Sequence, residues 1–449
     1  MARMVKTKPP KVAPKVAIVS LGCPKNLVDS EKLLAHLAEG GCIVGAPMDD
    51  ADVVIVNTCG FIAPAITESL EVIDEARRLK DAGKVRRIVV AGCLVNRAGE
   101  SLFAQAEGID AIVGVNDRDS ILSAVLAGDR VSRISASPAR PVSDAGRFRL
   151  TPAHTAYLRI AEGCSRRCTF CTIPSIRGPF RSKRPVRVLD EARELLADGA
   201  VELNVIAQDT TNYGRDLGPN TSLPNLLRKL DKLDGVEWVR LLYAYPQGFD
   251  DDLIDAIASC EHVVPYVDMP LQHISDPVLK RMGRHVTRKQ IERLLVKLRQ
   301  RIDGLVLRTT FITGFPGETR KDSEELLAFV RDYDFEAVGV FPYYPEPDTP
   351  AAKLPNRPAK ATALRRLEKL MLTQQDIAFA ANEASIGKSV RVLVDGTEAG
   401  GATIGRHYGQ APDIDSLCIL TEPVEPGQFV TGTIVETDGY DLVVAPDQN

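Results

Sequence analysis

The stretch of sequence that decides the fold reads Glu162-Gly163-Cys164-Ser165-Arg166-Arg167-Cys168-Thr169-Phe170-Cys171-Thr172-Ile173-Pro174. Its three cysteines have the spacing C-x3-C-x2-C, so their thiolates would repel or oxidise unless a soft metal centre bound them. Structural zinc takes four protein ligands, whereas a 4Fe–4S cluster held by three cysteines keeps one iron open. The stretch predicts such a cluster. The alternatives are a zinc site with a distant fourth ligand, or three free thiols.

A second set of cysteines follows three predicted strands near the N-terminus. Short apolar runs typical of buried parallel strands occupy Val16–Leu21, Val53–Val56 and Arg87–Ala91. Shortly after each run a cysteine adjoins a glycine, in the pairs Gly22-Cys23, Cys59-Gly60 and Gly92-Cys93. The carboxyl ends of parallel strands meet at one sheet edge, where ligands bind. These positions predict a second three-cysteine iron–sulfur site, with three buried thiols as the alternative.

The remaining cysteines, Cys42, Cys260 and Cys418, lack partners at a ligand spacing and are predicted to be structural thiols.

The chain of 449 residues has room for about three domains, and its hydrophobic content of 44 % supports sizeable cores. We predict an α/β protein with a basic tail (1–14), an N-terminal parallel α/β domain (15–129), a linker (130–149), a core domain (150–379) and a small C-terminal β-barrel (380–447). A net charge of −4 argues against a generic nucleic-acid binder. The N-terminus has no apolar signal core, and no apolar run is long enough to span a membrane. We therefore expect a cytoplasmic protein that uses its cysteines for metals.

The core domain is predicted to be a partial (β/α) barrel of about six units, with its site at the strand carboxyl ends. Its predicted strands are Thr155–Ile160, Glu202–Ala207, Trp238–Tyr243, Val264–Met269, Leu305–Ile312 and Ala337–Phe341. Several loops after these strands carry polar or turn residues: Gln208–Thr211, Pro270–His273 and Gly314–Thr319. A lone histidine such as His273 is more often structural than a ligand. A basic stretch, Arg177–Arg187, either meets phosphate or is a solvated loop.

The cysteine loop, with its C-x3-C-x2-C spacing and Phe170 before Cys171, resembles that of the radical S-adenosylmethionine (SAM) superfamily. The domain order, ending in a barrel like a TRAM domain, is similar to that of the methylthiotransferases. One branch of that family modifies adenosine in tRNA, and another modifies an aspartate of the small-subunit ribosomal protein uS12. Local sequences resemble the second branch: Gly22–Asn26, Thr58–Ile62, Ala161–Cys164, Ala207–Thr211 and Gln410–Asp415.

The resemblance implies two 4Fe–4S clusters and SAM as cofactors. The cluster on Cys164, Cys168 and Cys171 would cleave SAM to a 5′-deoxyadenosyl radical, which removes hydrogen from the aspartate β-carbon. The cluster on the three N-terminal cysteines would carry the sulfur to be inserted, and a second SAM would methylate it. No side chain acts as a classical acid or base in this scheme.

The resemblance also implies SAM contacts from Gln208 and from the glycine-containing loop with Gly314 and Glu318.

The charge of the predicted barrel favours a protein substrate. Between Ala380 and Asn449 there are three basic and eleven acidic residues, a net charge of −8. Such a module would repel tRNA and attract a basic ribosomal protein, unless the acidic residues only maintain solubility. We expect uS12 or the small ribosomal subunit, an electron donor and a sulfur source as partners, with no membrane and no stable tRNA binding. The alternatives are a tRNA adenosine methylthiotransferase and, in another class, a non-catalytic metal-containing ribosome- or RNA-binding protein.

Overall fold

The computed structural model of the chain describes residues 13–135, 141 and 143–447. The described chain packs as two compact units. The first runs to Leu150 and takes in Glu162–Ser165 and Thr172–Phe180, and the second comprises Thr151–Ala161, Arg166–Cys171 and the chain from Arg181 onward. Nearly all of the predicted basic tail (1–14) lies outside the described residues, as do positions 136–140 and 142 of the predicted linker. No helix among the described residues is both long and apolar enough to cross a membrane.

The first unit contains a parallel six-stranded sheet with the order β2-β1-β3-β4-β5-β6. Its strands are β1 (Lys15–Ser20), β2 (Ile43–Val44), β3 (Val53–Thr58), β4 (Arg87–Gly92), β5 (Ala111–Val113) and β6 (Val131–Arg133). Its helices are α1 (Pro24–Glu39), α2 (Ala63–Asp81), α3 (Cys93–Ala98), α4 (Leu102–Gln105), α5 (Ile121–Leu126) and α6 (Ile173–Arg177). Strands β3 and β4 are buried along their whole length because apolar residues cover both faces of the sheet.

The predicted parallel α/β domain is confirmed, but its sheet extends beyond the boundary predicted at residue 129. Strand β6 lies within the predicted linker and pairs with β5 from Ala111↔Val131 to Val113↔Arg133. It is short and only partly buried, so it lacks the apolar run that marks the other strands.

The second unit contains an open six-stranded parallel sheet with the order β14-β13-β12-β11-β10-β7, which confirms the partial barrel. The strands in chain order are β7 (Thr155–Arg159), β8 (Ala161–Glu162), β9 (Arg181–Ser182), β10 (Glu202–Ile206), β11 (Trp238–Leu241), β12 (Val263–Asp268), β13 (Val306–Thr313) and β14 (Ala337–Pro342). The two-residue strands β8 and β9 lie outside this sheet, and of β8 only Ala161 belongs to the second unit. The helices are α7 (Pro185–Ala197), α8 (Leu223–Leu230), α9 (Asp251–Ser259), α10 (Asp276–Arg281), α11 (Arg288–Arg301), α12 (Arg320–Tyr333) and α13 (Lys360–Glu383).

The second unit ends in a closed five-stranded barrel with the order β15-β16-β17-β19-β18, as predicted. Its strands are β15 (Ser389–Thr397), β16 (Thr403–His407), β17 (Cys418–Leu420), β18 (Phe429–Asp438) and β19 (Asp441–Pro446). The barrel is tied to the core sheet by buried charges. Glu202 of β10 lies 3.0 Å from Arg240 Nε of β11 and 2.9 Å from Arg406 Nη2 of β16. Because breaking such a buried pair leaves an uncompensated charge, these contacts fix the barrel on the core.

The segment Gln410–Asp415, one of those that resemble the branch acting on a ribosomal protein, lies at this junction between the barrel and the core sheet. Tyr157 donates its hydroxyl to Asp413 at 3.0 Å, and Tyr266 donates to Asp415 at 2.6 Å. Both tyrosines belong to core strands, so the segment has an architectural role at the base of the partial barrel.

Candidate metal centres

Cys23, Cys59 and Cys93 follow β1, β3 and β4, which are adjacent strands of the first sheet. Strand β3 pairs in parallel with β1 and with β4, so the three carboxyl ends meet at one edge. Gly22, the neighbour of Cys23, lies so close to Cys59 that a Cβ added to it would be 3.1 Å from Cys59 Sγ. Negative charge on Cys23 and Cys59 also raises the pKa of the Cys93 thiol. The sheet therefore brings together the three cysteines that the sequence predicted as one site.

Two glycines let the loops approach one another at this edge. Gly22 has φ +88°, and a Cβ added there would lie 2.8 Å from Cys59 Cβ. Gly92 has φ +94°, and a Cβ there would lie 2.7 Å from the Thr58 carbonyl oxygen. Larger residues would be strained and would separate the loops.

Two buried asparagines hold the same loops in register. Asn26 Nδ2 donates to the carbonyl oxygens of Leu21 at 2.6 Å and Asn57 at 3.1 Å. In return, Asn57 Nδ2 donates to the Asn26 carbonyl at 2.8 Å and to Ser30 Oγ at 2.7 Å. This reciprocal pair, which we call the asparagine clamp, satisfies backbone groups in the loops that precede Cys23 and Cys59.

A buried cation completes this site. Arg177, the last residue of α6, places its Nε 3.3 Å from Cys93 Sγ. Burial raises the pKa of Cys93 to about 12, an effect that Arg177 opposes. Burial also disfavours the Cys23 thiolate, but Lys25, Arg177 and the backbone N–H groups of Lys25 and Asn26 together outweigh it and lower the pKa of Cys23 below its ordinary value. The first cysteine set thus combines a buried Cys93 with partly exposed Cys23 and Cys59, and it has a fixed positive charge beside it.

The second cysteine set lies in the loop between β8 and α6. In the first unit, the Cys164 backbone N–H donates to the Gly178 carbonyl at 3.1 Å, so the residue after Arg177 anchors Cys164. In the second unit, the Cys171 N–H donates to the Cys168 carbonyl at 3.2 Å. One backbone hydrogen bond therefore anchors Cys164, and the other closes the turn from Cys168 to Cys171.

Aromatic packing connects this loop to the predicted SAM-binding loop. Phe170 contacts the fully buried Phe315 edge to face, with ring centroids 6.3 Å apart, and Phe315 contacts Tyr343 in the same way at 5.1 Å. Because Phe315 directly follows Gly314, this packing brings the glycine-containing loop beside the cysteine loop.

The Glu318 side chain forms hydrogen bonds within that glycine-containing loop. Its Oε2 accepts hydrogen bonds from the backbone N–H groups of Gly314 and, at 3.0 Å, Phe315. Its Oε1 lies 2.9 Å from Arg366 Nη1, an ion pair that accounts for the second oxygen. Burial raises the pKa of Glu318, while Arg366 and the two N–H groups favour its ionised form. The carboxylate shapes the loop, and a SAM contact by Glu318 stays a prediction.

Gln208 follows β10 beside Asp209, whose Oδ2 accepts a hydrogen bond from Arg166 Nε at 2.7 Å. Arg166 belongs to the cysteine loop, so this contact places the end of β10 next to it. The role of Gln208 as a SAM contact also stays a prediction.

Two arginines and a tyrosine flank the second set, and sequence reasoning missed them. The guanidinium carbons of Arg166 and Arg284 lie 4.0 Å and 4.1 Å from the centroid of Tyr245. Arg284 also places Nη1 3.9 Å from Cys168 Sγ and donates from Nη2 to the Pro270 carbonyl at 2.5 Å. Cation–π stacking at this distance holds a positive charge beside the cysteine loop.

The structure shows His273 in a structural position. His273 is fully buried, its Nδ1 accepts from the Ser275 N–H at 3.0 Å, and burial lowers its pKa to about 4. It is thus a neutral structural residue.

In the basic stretch, Lys183 is buried and lies 2.5 Å from Glu191, and Arg177 faces Cys93. Both side chains are buried, so the interpretation of a solvated loop is wrong for these two residues, and the interpretation that the stretch meets phosphate stays a prediction.

No group of three or more His, Cys, Asp or Glu side chains in the described ranges is arranged to hold a single metal ion. The test for a cluster is different, because its thiolates bind different irons. The first set meets that test: three soft donors at one sheet edge, glycines that permit close approach, and a cation beside the sulfur. The second set supplies three thiols in one loop, with Arg284 beside Cys168.

Three family models match the chain: Uncharacterized protein family UPF0004 over residues 15–114, Radical SAM superfamily over 158–330, and TRAM domain over 386–446. Solved structures with similar folds include the radical SAM methyltransferase TsrM from Kitasatospora setae (TM-score 0.52, 19 % identity, 73 % of each chain). They also include the cobalamin-dependent enzyme OxsB (TM-score 0.51, 15 % identity, 81 % of this chain and 56 % of that one).

Curated relatives match almost end to end. Ribosomal protein uS12 methylthiotransferase RimO of Geotalea uraniireducens is 43 % identical, with 96 % of this chain and 97 % of the relative covered. The protein of that name in Geobacter sulfurreducens is also 43 % identical, with 96 % and 98 % covered. Identity at this level over the whole length shows that the chain belongs to the RimO family of ribosomal protein uS12 methylthiotransferases.

Proposed function

We propose that this protein inserts a methylthio group at the β-carbon of an aspartate in ribosomal protein uS12, using two 4Fe–4S clusters and SAM. The observation that carries the proposal is the identity of 43 % to uS12 methylthiotransferases over 96 % of the chain. The positions of both cysteine sets, which follow the carboxyl ends of strands, support the proposal.

Cys23, Cys59 and Cys93 would hold one cluster, and Cys164, Cys168 and Cys171 would hold the cluster that binds SAM. When bound, these groups supply the one-electron chemistry, the sulfur and the methyl group. A strong C–H bond offers nothing to an ordinary base, and the neutral, enclosed His273 is consistent with a site that has no classical acid or base.

The side chains around the second cysteine set would bind SAM and shield the cysteine loop from water. Phe170 and Phe315 form an apolar wall between the cysteine loop and the glycine-containing loop. Glu318 uses its carboxylate to shape that loop, so its contribution to SAM binding would come through the loop backbone. Arg166 and Arg284 stack on Tyr245 beside the cysteine loop, and we expect this stack to limit the access of water to that loop.

The barrel supports a basic protein substrate. Of its three basic residues, Arg406 is buried against Glu202 and Arg391 pairs with Glu237 at 2.8 Å, which leaves Lys388 exposed. The exposed acidic residues are Glu383, Glu398, Asp413, Glu422, Glu425, Glu436, Asp438 and Asp447. This surface favours a cationic partner and disfavours phosphate, so we expect no stable tRNA binding. An electron donor, a sulfur source and a cytoplasmic location complete the proposal.

Mass spectrometry of uS12 from cells with and without the gene tests the proposal. The expected result is a gain in mass of one methylthio group on an aspartate, only when the gene is present. If uS12 is unmodified and methylthioadenosine in tRNA depends on the gene, the protein is a tRNA adenosine methylthiotransferase and the proposed substrate is wrong. If neither substrate changes and the purified protein contains no iron, the enzymatic function is wrong.

A further inference from the structure

Arg177 is enclosed more completely than an ordinary ion pair requires. Its side chain is 2 % exposed, and all three guanidinium nitrogens have partners. Nη1 lies 3.2 Å from Glu162, Nη2 lies 2.9 Å from Asp29 and 3.4 Å from Asn26 Oδ1, and Nε donates to Cys93 Sγ at 3.3 Å. The two carboxylates orient the guanidinium so that its remaining N–H points at sulfur.

Charge neutralisation alone does not explain this geometry. A buried ion pair often gains nothing over a well-packed apolar group, so the retained cation needs another reason. Asp29 already has a second partner, Arg118, at 2.8 Å. The distinctive contact of Arg177 is therefore the one with Cys93.

We propose that Arg177 is a positioning residue that stabilises the more negative states of the cluster on Cys23, Cys59 and Cys93. The inference rests on the proposed function, because it assumes a cluster on these thiols. Such a cluster gains one negative charge when it accepts one electron from a reductant, and also when it binds a sulfur anion. A fixed, buried cation favours both changes, and a hydrogen bond to a ligating sulfur raises the reduction potential.

The experiment is a redox titration of the Cys168→Ala/Cys171→Ala protein, in which only the first set can hold a cluster. Dithionite supplies the electrons, and visible absorbance and electron paramagnetic resonance report the reduced fraction. Three further substitutions are compared in this background. Arg177→Gln removes the charge, Arg177→Lys keeps the charge but removes the Nε–H donor, and Arg118→Gln removes the other partner of Asp29 without touching sulfur.

We expect Arg177→Gln to lower the reduced-to-oxidised ratio at a fixed potential about tenfold, a midpoint shift of about −59 mV for one electron. Arg177→Lys should shift it in the same direction by a smaller amount, and Arg118→Gln should leave it unchanged. Hydrosulfide, added as the sulfur-anion probe, should bind the Arg177→Gln cluster about tenfold more weakly.

Equal midpoint potentials in the parent and Arg177→Gln would overturn the inference, as would an equal shift in Arg118→Gln. If Arg177→Gln retains no iron, Arg177→Lys decides, and a potential equal to the parent's would overturn the inference. The absence of iron from the parent background itself would instead refute the two-cluster function.

Discussion

The first cysteine set draws its thiols from three loops whose cysteines are more than thirty residues apart, whereas the second takes all three from one loop. The first exists only while β1, β3 and β4 lie side by side and the asparagine clamp holds their loops. The second is local in sequence, and its neighbours mainly set its environment. The first set should therefore lose its metal when packing in the first unit is disturbed. The second set should keep its three ligands, and its activity should depend on the side chains around it.

The largest expected effect separates the chemistry of the two sets. Cys59→Ala should reduce methylthiolation of uS12 to background and leave SAM cleavage largely intact, since the second set is untouched. Cys168→Ala should abolish both activities, and each variant should lose about half of the bound iron. The measurements are product mass, 5′-deoxyadenosine formation and iron content. Cys260→Ala is the control and should change none of them, and product formation by Cys59→Ala would refute the division of labour.

The next effect concerns the surroundings of the second set. Arg284→Gln removes the cation stacked on Tyr245 and the contact with Cys168 Sγ. Loss of such a supporting partner typically costs about 10–100-fold in metal affinity or activity. SAM cleavage should fall by that factor, while iron bound by a Cys168→Ala/Cys171→Ala background stays unchanged on adding Arg284→Gln.

Lys280→Gln, at an exposed position of α10, controls for the lost charge. If it reduces cleavage as much as Arg284→Gln does, general electrostatics and not the stacked contact is responsible.

A smaller effect should be confined to the first set. Asn57→Ala removes the buried amide that donates to Asn26 and Ser30, and leaving such groups unsatisfied costs about 1–3 kcal/mol. The first unit should unfold at a lower urea concentration and lose iron, while SAM cleavage persists. Asn225→Ala, at an exposed site in α8, should do neither. Equal iron loss from both sets would contradict the independence of the two sites.

Both cysteine sets could be predicted from the sequence because each rests on a pattern that is visible along the chain. The second has a spacing, and the first follows apolar runs that end in cysteine and glycine. The residues around them carry no such pattern. Arg177 and Cys93 are 84 positions apart, and in sequence Arg177 is simply the first member of a basic stretch. Its role depends on how α6 packs within the first unit, which no local signal encodes.

The same reasoning explains other differences from the sequence predictions. Strand β6 is partly exposed and only three residues long, so neither alternation nor an apolar run marks it. Glu318 was correctly placed in the glycine-containing loop, but the direction of its carboxylate depends on Arg366 of α13, 48 residues later. The positions of strands and helices follow from the pattern of apolar residues along the chain, whereas the direction of a charged side chain follows from its tertiary partners.

The smallest expected effect is a difference in acid sensitivity. His273 in the second unit is fully buried and its pKa is lowered to about 4, from 6.5. Below pH 6.5 the unfolded chain binds a proton that the native state does not bind until about pH 4, so the stability of this unit falls as pH falls through that window. One unit below 6.5, at about pH 5.5, the loss is about 1 kcal/mol. Urea unfolding of the holoprotein at pH 7.5 and 5.5, followed by hydrogen exchange in each unit, measures it.

His273→Asn keeps an acceptor for the Ser275 N–H and should remove about half of this pH dependence, because burial also lowers the pKa of His407 in the same unit to about 4. Exposed His285→Asn should leave the pH dependence unchanged. The first unit contains His36, which is partly exposed and whose pKa is lowered less completely because Asp119 and Glu39 oppose burial and Lys32. The first unit, and the cysteine set it builds, should therefore retain more of its stability at pH 5.5. If hydrogen exchange accelerates first around Cys23, Cys59 and Cys93, packing at the sheet edge and not the buried histidine limits stability in acid.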